Sequence, residues 1–555
     1  MEFILHHLSL IRSFSIYTHL LQHKQLEVTT ISGCKTTLTE MLSSPIIPIA
    51  ILVTIATILR LVLLNYKRGT SEKRVIGSLP PGPVTSPVIG NMHQLIWSKP
   101  AVFRWIHGLL KEMGTDILCL RLGATPVVVV ACPQIAREVL RKKDAMFTAR
   151  PPTFASNLFS YGYKSASLTT VDYQWKKMKR ILTSEILSPA LEHKLHDQRV
   201  AEADHLIRYV YSQINITHES NINVRHVAQY FCGNIIRRLV FGKRYFGEPP
   251  AMSVGGPGHQ EVEHVDALFT LLNYVYGFCV SDYFPALVGL DLDGHEKVAK
   301  RVVSTLDRLH DPIIQERMQE WSSHPKSGDK RDVTDFLDVL IKAQIVEIMF
   351  ATVDNPSNAV EWALAEMMNK PDIMQKAMDE LNAVVGTERL VQESDLYKLN
   401  YLKACIREAF RIHPYHAFTA PRVAMEDTTI AGYMIPKGSQ VILSRIGLGQ
   451  NSKVWIEPLE FRPERHLNND DPVALSEPDL RFISFSTGRR GCPGASLGTS
   501  ITMMLFARLL QGFTWSKPSN IDRINLHESN ASLALAEPLV LEAKPRLAAH
   551  LYAAK

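Results

Sequence analysis

Cysteine is scarce and unpaired in this chain: 555 residues contain seven, at positions 34, 119, 132, 232, 279, 405 and 492. The number is odd, the spacings are irregular and no C-x-x-C occurs, which excludes a disulfide framework or a zinc scaffold and points to a reduced, cytosol-facing protein. A dominant charge is missing too. Lys and Arg number 61 against 55 Asp and Glu, a net +6 scattered without a basic stripe. Nucleic-acid binding is therefore unsupported, while a mildly basic face toward an anionic membrane or an acidic partner stays open. After residue 84 there is no Gly/Ser linker, low-complexity tract or repeat. With 46% hydrophobic and 21% charged residues, that span reads as one large domain with an ample core.

One long apolar run is present. Residues 46–64, IIPIAILVTIATILRLVLL, are interrupted only by Thr54, Thr57 and Arg60, and are long enough to cross a hydrocarbon layer. Lys67, Arg68, Lys73 and Arg74 follow, which by the positive-inside rule leaves the bulk of the chain in the cytosol. The expected organisation is an N-terminal extension over 1–40 that need not be native, Met41 being a natural start. A transmembrane anchor over 41–66 and a basic, proline-rich hinge over 67–83 ending in PPGP follow it. A single domain over 84–555 completes the chain.

The most specific stretch is FISFSTGRRGCPGASLG, residues 482–498, in which Phe485, Gly488, Arg490, Cys492 and Gly494 fall at F-x-x-G-x-R-x-C-x-G. A cysteine here stands at the start of a helix, in a turn whose glycines let backbone approach a flat ligand. Backbone amides and the helix dipole stabilise a thiolate, and a thiolate ligates iron. This stretch resembles the haem-binding loop of cytochrome P-450 monooxygenases, whose fold is mainly α with small β-sheets and, in membrane-bound members, an N-terminal transmembrane helix. The resemblance implies haem b with Cys492 as axial thiolate and metal ligand, Phe485 packed under the ring, and Arg490 on a propionate.

Further landmarks of that family follow in order. EAFR places Glu408 and Arg411 one helical turn apart, and FRPER supplies Arg465. The resemblance implies that the three form a buried triad supporting the haem side. WKKMKR and TAPRVA add Trp175, Lys179 and Arg422 as propionate contacts, lysine replacing the family's arginine at 179.

The distal helix of the family carries A/G-G-x-D/E-T-T/S, whose acid and first threonine relay protons. Here the same positions read ATVDNP: Thr352 and Asp354 are present, Asn355 replaces the threonine, and Pro356 follows. Reading one helix from about Ile341 to Met368, Pro356 is expected to kink it and open an oxygen groove. Asn355 transfers a proton less readily than a hydroxyl, so Asp354 with water, or a group on the substrate, is expected to serve. Between DFLDVL and KAQIVEIMF stands Ile341 alone, where relatives usually carry a longer polar stretch.

ATVDNPSNAVEWALAEM, ISFSTGRRGC, REAFRIHPYHAF, IPKGSQVILSR and LLQGFTWSKP resemble the plant amino-acid N-monooxygenases, which form aldoximes. What the resemblance implies is double N-hydroxylation of an apolar L-amino acid with O2. The electrons come from NADPH through NADPH-cytochrome P-450 reductase, at the endoplasmic reticulum membrane. The product feeds defence metabolism such as cyanogenic glucoside synthesis. Phenylalanine is the expected substrate, then valine, isoleucine or leucine. Expected substrate contacts are Phe159, Phe350, Val353, His416, Phe418 and Leu533, with Arg150 and His416 as candidates for the α-carboxylate. Two alternatives remain: an oxygen-independent haem-thiolate isomerase or dehydratase, and a non-catalytic haem-binding membrane protein.

Overall fold

Two apolar runs, ILCLRL and TPVVVV, pair antiparallel as β1 (Ile117–Leu122) and β2 (Thr125–Val130), from Ile117 opposite Val130 to Leu122 opposite Thr125. Their two-residue turn holds Gly123 at φ +58°, a left-handed conformation that costs glycine no strain. β7 (Gln440–Leu443) adds parallel to β2, and β4 (Arg422–Val423) adds antiparallel to β7. The sheet order is β1-β2-β7-β4. A second sheet joins β3 (Asn221–Asn223), β9 (Val540–Pro545) and β8 (Phe513–Ser516), and β5 (Thr428–Ile430) pairs with β6 (Tyr433–Ile435) as a hairpin.

This computed structural model describes residues 78–216, 220–242, 257–323, 333–342, 353–467 and 471–553, all within a unit that begins at Ile76. The expected anchor over 41–66, the extension before it and most of the hinge lie outside the described residues. Among those described, no helix is long and apolar enough to cross a membrane. The end of the expected hinge is part of the fold. The carbonyl of Pro81 accepts from the Cys119 N–H at 2.8 Å, and a Cβ on Gly82 would lie 2.0 Å from the Cys119 carbonyl oxygen. PPGP is thus clamped on β1.

Six helices position the site: α1 (Tyr173–Ile181), α2 (Val224–Phe241), α3 (Asp354–Met368), α4 (Asn400–Ile412), α5 (Arg445–Gly449) and α6 (Ala495–Gly512). α3 packs against α2, α4 and α6 and is buried on nearly every face, as a helix at the centre of a large α domain must be. Two of its three buried acids, Glu361 and Glu366, are answered. Glu361 accepts from Arg225 Nε at 2.9 Å and from the Leu539 N–H at 2.9 Å, and Glu366 pairs with His413 Nε2 at 2.9 Å. Trp362 stacks on the His413 ring, centroids 3.7 Å apart at 2°, and donates to the Leu533 carbonyl at 3.0 Å.

The expected kink bears on residues 343–352, outside the described residues. Within α3 as described, Pro356 sits in the first turn, where its missing N–H removes no intrahelical hydrogen bond.

Candidate active site

Cys492 lies two residues before Gly494, the N-cap of α6. Its own N–H donates to the Phe485 carbonyl at 2.8 Å, closing the loop, and the Gly494 N–H faces its sulfur. Burial pushes the thiol pKa up; the Gly494 amide and the Arg445 guanidinium pull it down. Of the six cysteines described, Cys492 is the one classed as exposed, yet protein surrounds it on most sides. That combination marks a wall of an internal cavity. The phenyl ring of Phe485 is 6.0 Å from that of Phe410, edge to face, and touches the position a Cβ on Gly498 would take. Gly488 is required for shape: at φ +76° a Cβ would lie 2.5 Å from Asp144 Oδ1.

On one side of this loop four cations crowd together. Arg490 donates to the carbonyls of Thr148, Ala166 and Thr169 at 2.8, 3.1 and 2.7 Å. Arg422 pairs with Asp144 at 3.0 Å. Lys179 reaches the Arg489 carbonyl at 2.7 Å, and Arg150 the carbonyls of Ala420 and Pro421 at 2.9 and 2.8 Å. Trp175 lies between two of them, with Lys179 Nζ 5.1 Å and the Arg490 guanidinium 4.8 Å from its ring. Burial, together with repulsion from Arg150, holds Arg490 down at about 9 and Arg422 at about 10. Cationic groups crowded until they lose basicity fit a ligand bearing two carboxylates, and a thiol in a cavity wall fits its iron. The residues present therefore suit haem. Cys492 would ligate the metal and Arg490, Arg422, Trp175 and Lys179 would hold the propionates.

The expected triad forms around a fully buried carboxylate. Glu408 receives Arg411 through two hydrogen bonds of 2.8 and 2.7 Å and Arg465 Nε at 2.9 Å. Two further donors were not anticipated: His466 Nε2 at 2.7 Å and the Arg462 N–H at 3.0 Å. The signal for His466 was its place directly after FRPER. Burial raises the Glu408 pKa, but Arg411 and His466 outweigh it and hold the group at about 2.

At the start of α3, Asp354 is wholly buried, and neither carboxylate oxygen makes a well-formed hydrogen bond. Tyr415 is the polar group that faces it. Burial drives the Asp354 pKa well above the ordinary carboxylate range, which favours the protonated acid. Asn355, next to it, is half-buried. Thr352 and Phe350 lie outside the described residues.

Three expected substrate contacts are deeply buried side chains. Phe159, Val353 and Leu533 are 3%, 0% and 1% exposed. Phe159 and Val353 pack into the main core, and the Leu533 segment caps Trp362. An apolar residue satisfies its hydrophobicity equally in core or cavity wall, so type alone does not separate the two. His416 and Phe418 remain half-open. His416 is enclosed and uncharged, burial and Arg445 lowering it to about 3, while Phe418 stacks on His107 with centroids 5.5 Å apart. Arg445 itself escaped notice, although a lone cation in VILSRIGLG was a visible signal.

A cysteine loop at the head of a buried helix, a crowded cationic rim and a buried acid on the central helix together fit a haem-thiolate protein. The family described as Cytochrome P450 matches residues 80–542, and the chain belongs to it. It is a monooxygenase with haem held by a cysteine thiolate. It is similar to the tyrosine N-monooxygenase of Sorghum bicolor, 59% identical over 85% of this chain and 87% of the relative. It is also similar to valine N-monooxygenase 1 of Manihot esculenta (51%, covering 85% and 89%) and the phenylalanine N-monooxygenase of Arabidopsis thaliana (44%, covering 89% and 97%). A solved structure of a zebrafish cytochrome P450 with progesterone shares the fold: TM-score 0.63, 23% identity, covering 80% of this chain and 99% of that one.

Proposed function

We propose that the protein N-hydroxylates an aromatic L-amino acid twice and releases the aldoxime. Over two cycles the amino acid, two O2 and two NADPH with two protons give the aldoxime, CO2 and three waters, the carboxyl carbon leaving as CO2. The observation that carries this is the similarity, along more than four fifths of each chain, to relatives all named as amino-acid N-monooxygenases. Phenylalanine is the first substrate to test. Tyrosine is the second, favoured by the relative with 59% identity.

Held by Cys492, haem would supply the dioxygen chemistry. The chain's own residues do the rest. Protonated Asp354 is a proton reservoir on the central helix, taking the part a threonine hydroxyl shares elsewhere in the family. Asn355 offers a donor and an acceptor to an ordered water but no proton of its own. Phe418, stacked on His107, supplies a flat apolar wall for an aromatic side chain. Residues 46–64 are proposed as an endoplasmic-reticulum anchor that leaves the domain in the cytosol beside its reductase.

The test is an assay of yeast microsomes co-expressing this chain and a plant reductase, given NADPH and single L-amino acids, with oximes read by mass spectrometry. An NADPH- and O2-dependent oxime from phenylalanine or tyrosine is expected. No oxime from the whole panel, with intact thiolate ligation in the reduced carbon-monoxide spectrum, would overturn the proposal.

A further inference from the structure

Arg445 stands apart from the cationic rim. It opens α5 immediately after β7, and its position is fixed by backbone: its N–H donates to the Ala417 carbonyl at 2.8 Å, and Ser444 before it bridges to Phe418. Arg445 is therefore fastened directly to the 415–418 segment whose His416 and Phe418 remain half-open. The guanidinium is surrounded by protein yet partly open, as Cys492 and His416 are, and its Nε is buried with no hydrogen-bond partner. Among the described residues, the charged or titratable groups that act on it or feel it are Cys492 and His416. Arg150, Arg422 and Arg490 are not among them.

A guanidinium enclosed without a partner is costly, and a cation retained in such a place calls for an anion. Cys492 answers it only in part, since a sulfur bound to iron shares its charge with the metal. An amino-acid substrate brings the missing group. Its carboxylate is attached to the same carbon as the amine, so an amine presented to the iron carries the carboxylate into this neighbourhood. The two candidates expected from sequence serve less well. Arg150 is already committed to the carbonyls of Ala420, Pro421 and Ser167, and His416 carries no charge at neutral pH.

We propose that Arg445 binds the α-carboxylate of the amino-acid substrate, with neutral His416 beside it, and so makes the site select amino acids over amines. This rests on the amino-acid N-hydroxylation proposed above. A two-pronged guanidinium suits a planar carboxylate, and lysine would not reproduce its geometry.

The test uses the full-length haem-loaded protein and the Soret shift on titration with L-phenylalanine, L-tyrosine and their α-amides, which lack the carboxylate. In the wild type the acids bind about tenfold or more tighter than the amides. In R445M the acid Kd rises to that of the amide, while the amide Kd changes less than about twofold; R445K falls between them. Equal loss of acid and amide binding, or an unchanged acid Kd, overturns the assignment. So does loss of the reduced carbon-monoxide band near the thiolate position with acid preference retained, which would make Arg445 a partner of the sulfur. If R445M takes up no haem, R445K decides: a selective rise in acid Kd supports the assignment, and a parallel change in both ligands overturns it. A wild type that binds no amino acid defeats the proposed function itself, whereas wild-type binding with an indifferent variant defeats only the role of Arg445.

Discussion

His466 donates to Glu408 at 2.7 Å in its neutral form, with a fixed tautomer. Arg407 Nε approaches His466 Nδ1 at 3.1 Å, and arginine can only donate, so Nδ1 accepts and Nε2 carries the proton. Burial lowers the His466 pKa, in keeping with an uncharged ring. The carboxylate that joins α4 to the 461–466 segment is thereby fully satisfied by five donors, and the segment leading to the thiolate loop is anchored to the helix beneath it.

Removing one partner of so enclosed a charge is costly. Glu408→Gln is expected to lower stability by about 3–5 kcal/mol and to abolish the carbon-monoxide band in recovered protein. His466→Ala removes a hydrogen bond to a buried charge and is expected to cost roughly 1.5–3 kcal/mol. Urea denaturation and haem content per polypeptide check both.

The same carboxylate sets an acid limit. Its folded pKa of about 2 lies below the ordinary 4.5, so its contribution is fully present above about 4.5 and is lost as pH falls toward 2. At about 1.4 kcal/mol per unit the contribution is on the order of 3 kcal/mol. Denaturation midpoints of wild type and E408Q, measured from pH 6 to pH 3, should converge on the acid side. Parallel curves would refute the linkage.

Gly82→Ala tests where the domain begins. A Cβ there would lie 2.0 Å from the Cys119 carbonyl oxygen, a backbone atom that cannot step aside without moving β1. Destabilisation of about 2 kcal/mol or more is expected, while Val84→Ala, at a side chain 91% exposed, should be within about 0.5 kcal/mol of wild type. Thermal melts of the two variants make the comparison.

What was legible in the sequence was local or ordered along the chain. The thiolate loop, the Glu408–Arg411 turn and Arg465 could be read because glycines, a cysteine and paired charges at fixed spacing have few other uses. Trp175 and Arg490 could be read for the same reason, and they lie together. The cavity wall could not be read. Phe159, Val353 and Leu533 have the right chemistry for a pocket and equally for a core, and all three are buried. His466 and Arg445 were missed because their partners are distant in sequence: Arg445 meets His416 and Cys492 only once β7 is laid beside the 415–418 segment.

The cationic rim should govern how firmly haem is held. Arg490→Leu removes the charge nearest Trp175, and loss of a charge-assisted hydrogen bond worth about 1.5–3 kcal/mol implies roughly ten- to a hundredfold faster haem loss to an acceptor protein. Lys179→Arg replaces a point charge by a fork at the position where the family usually carries one. It should slow haem loss modestly. Transfer of haem to apomyoglobin, followed at the Soret band, measures both, and equal rates for all three proteins would remove the rim from haem binding.

Asp354→Asn separates the acid's proton from its shape. Because burial favours the neutral form of Asp354, an amide of the same shape suits the site, and the fold and haem content should be retained. The sign of the pH effect follows. A carboxyl whose folded pKa is raised above the unfolded 3.8 favours the folded state fully below 3.8, and that advantage is lost as pH rises through the folded value. Wild type should therefore lose stability relative to D354N as pH rises above 3.8. Turnover should move the other way: without the acid's proton, oxime formed per NADPH consumed is expected to fall on the order of a hundredfold, with NADPH spent on reduced oxygen instead. Unchanged coupling in a well-folded D354N would assign the proton to the substrate or to water held by Asn355, and would leave Asp354 a buried acid without a part in the reaction.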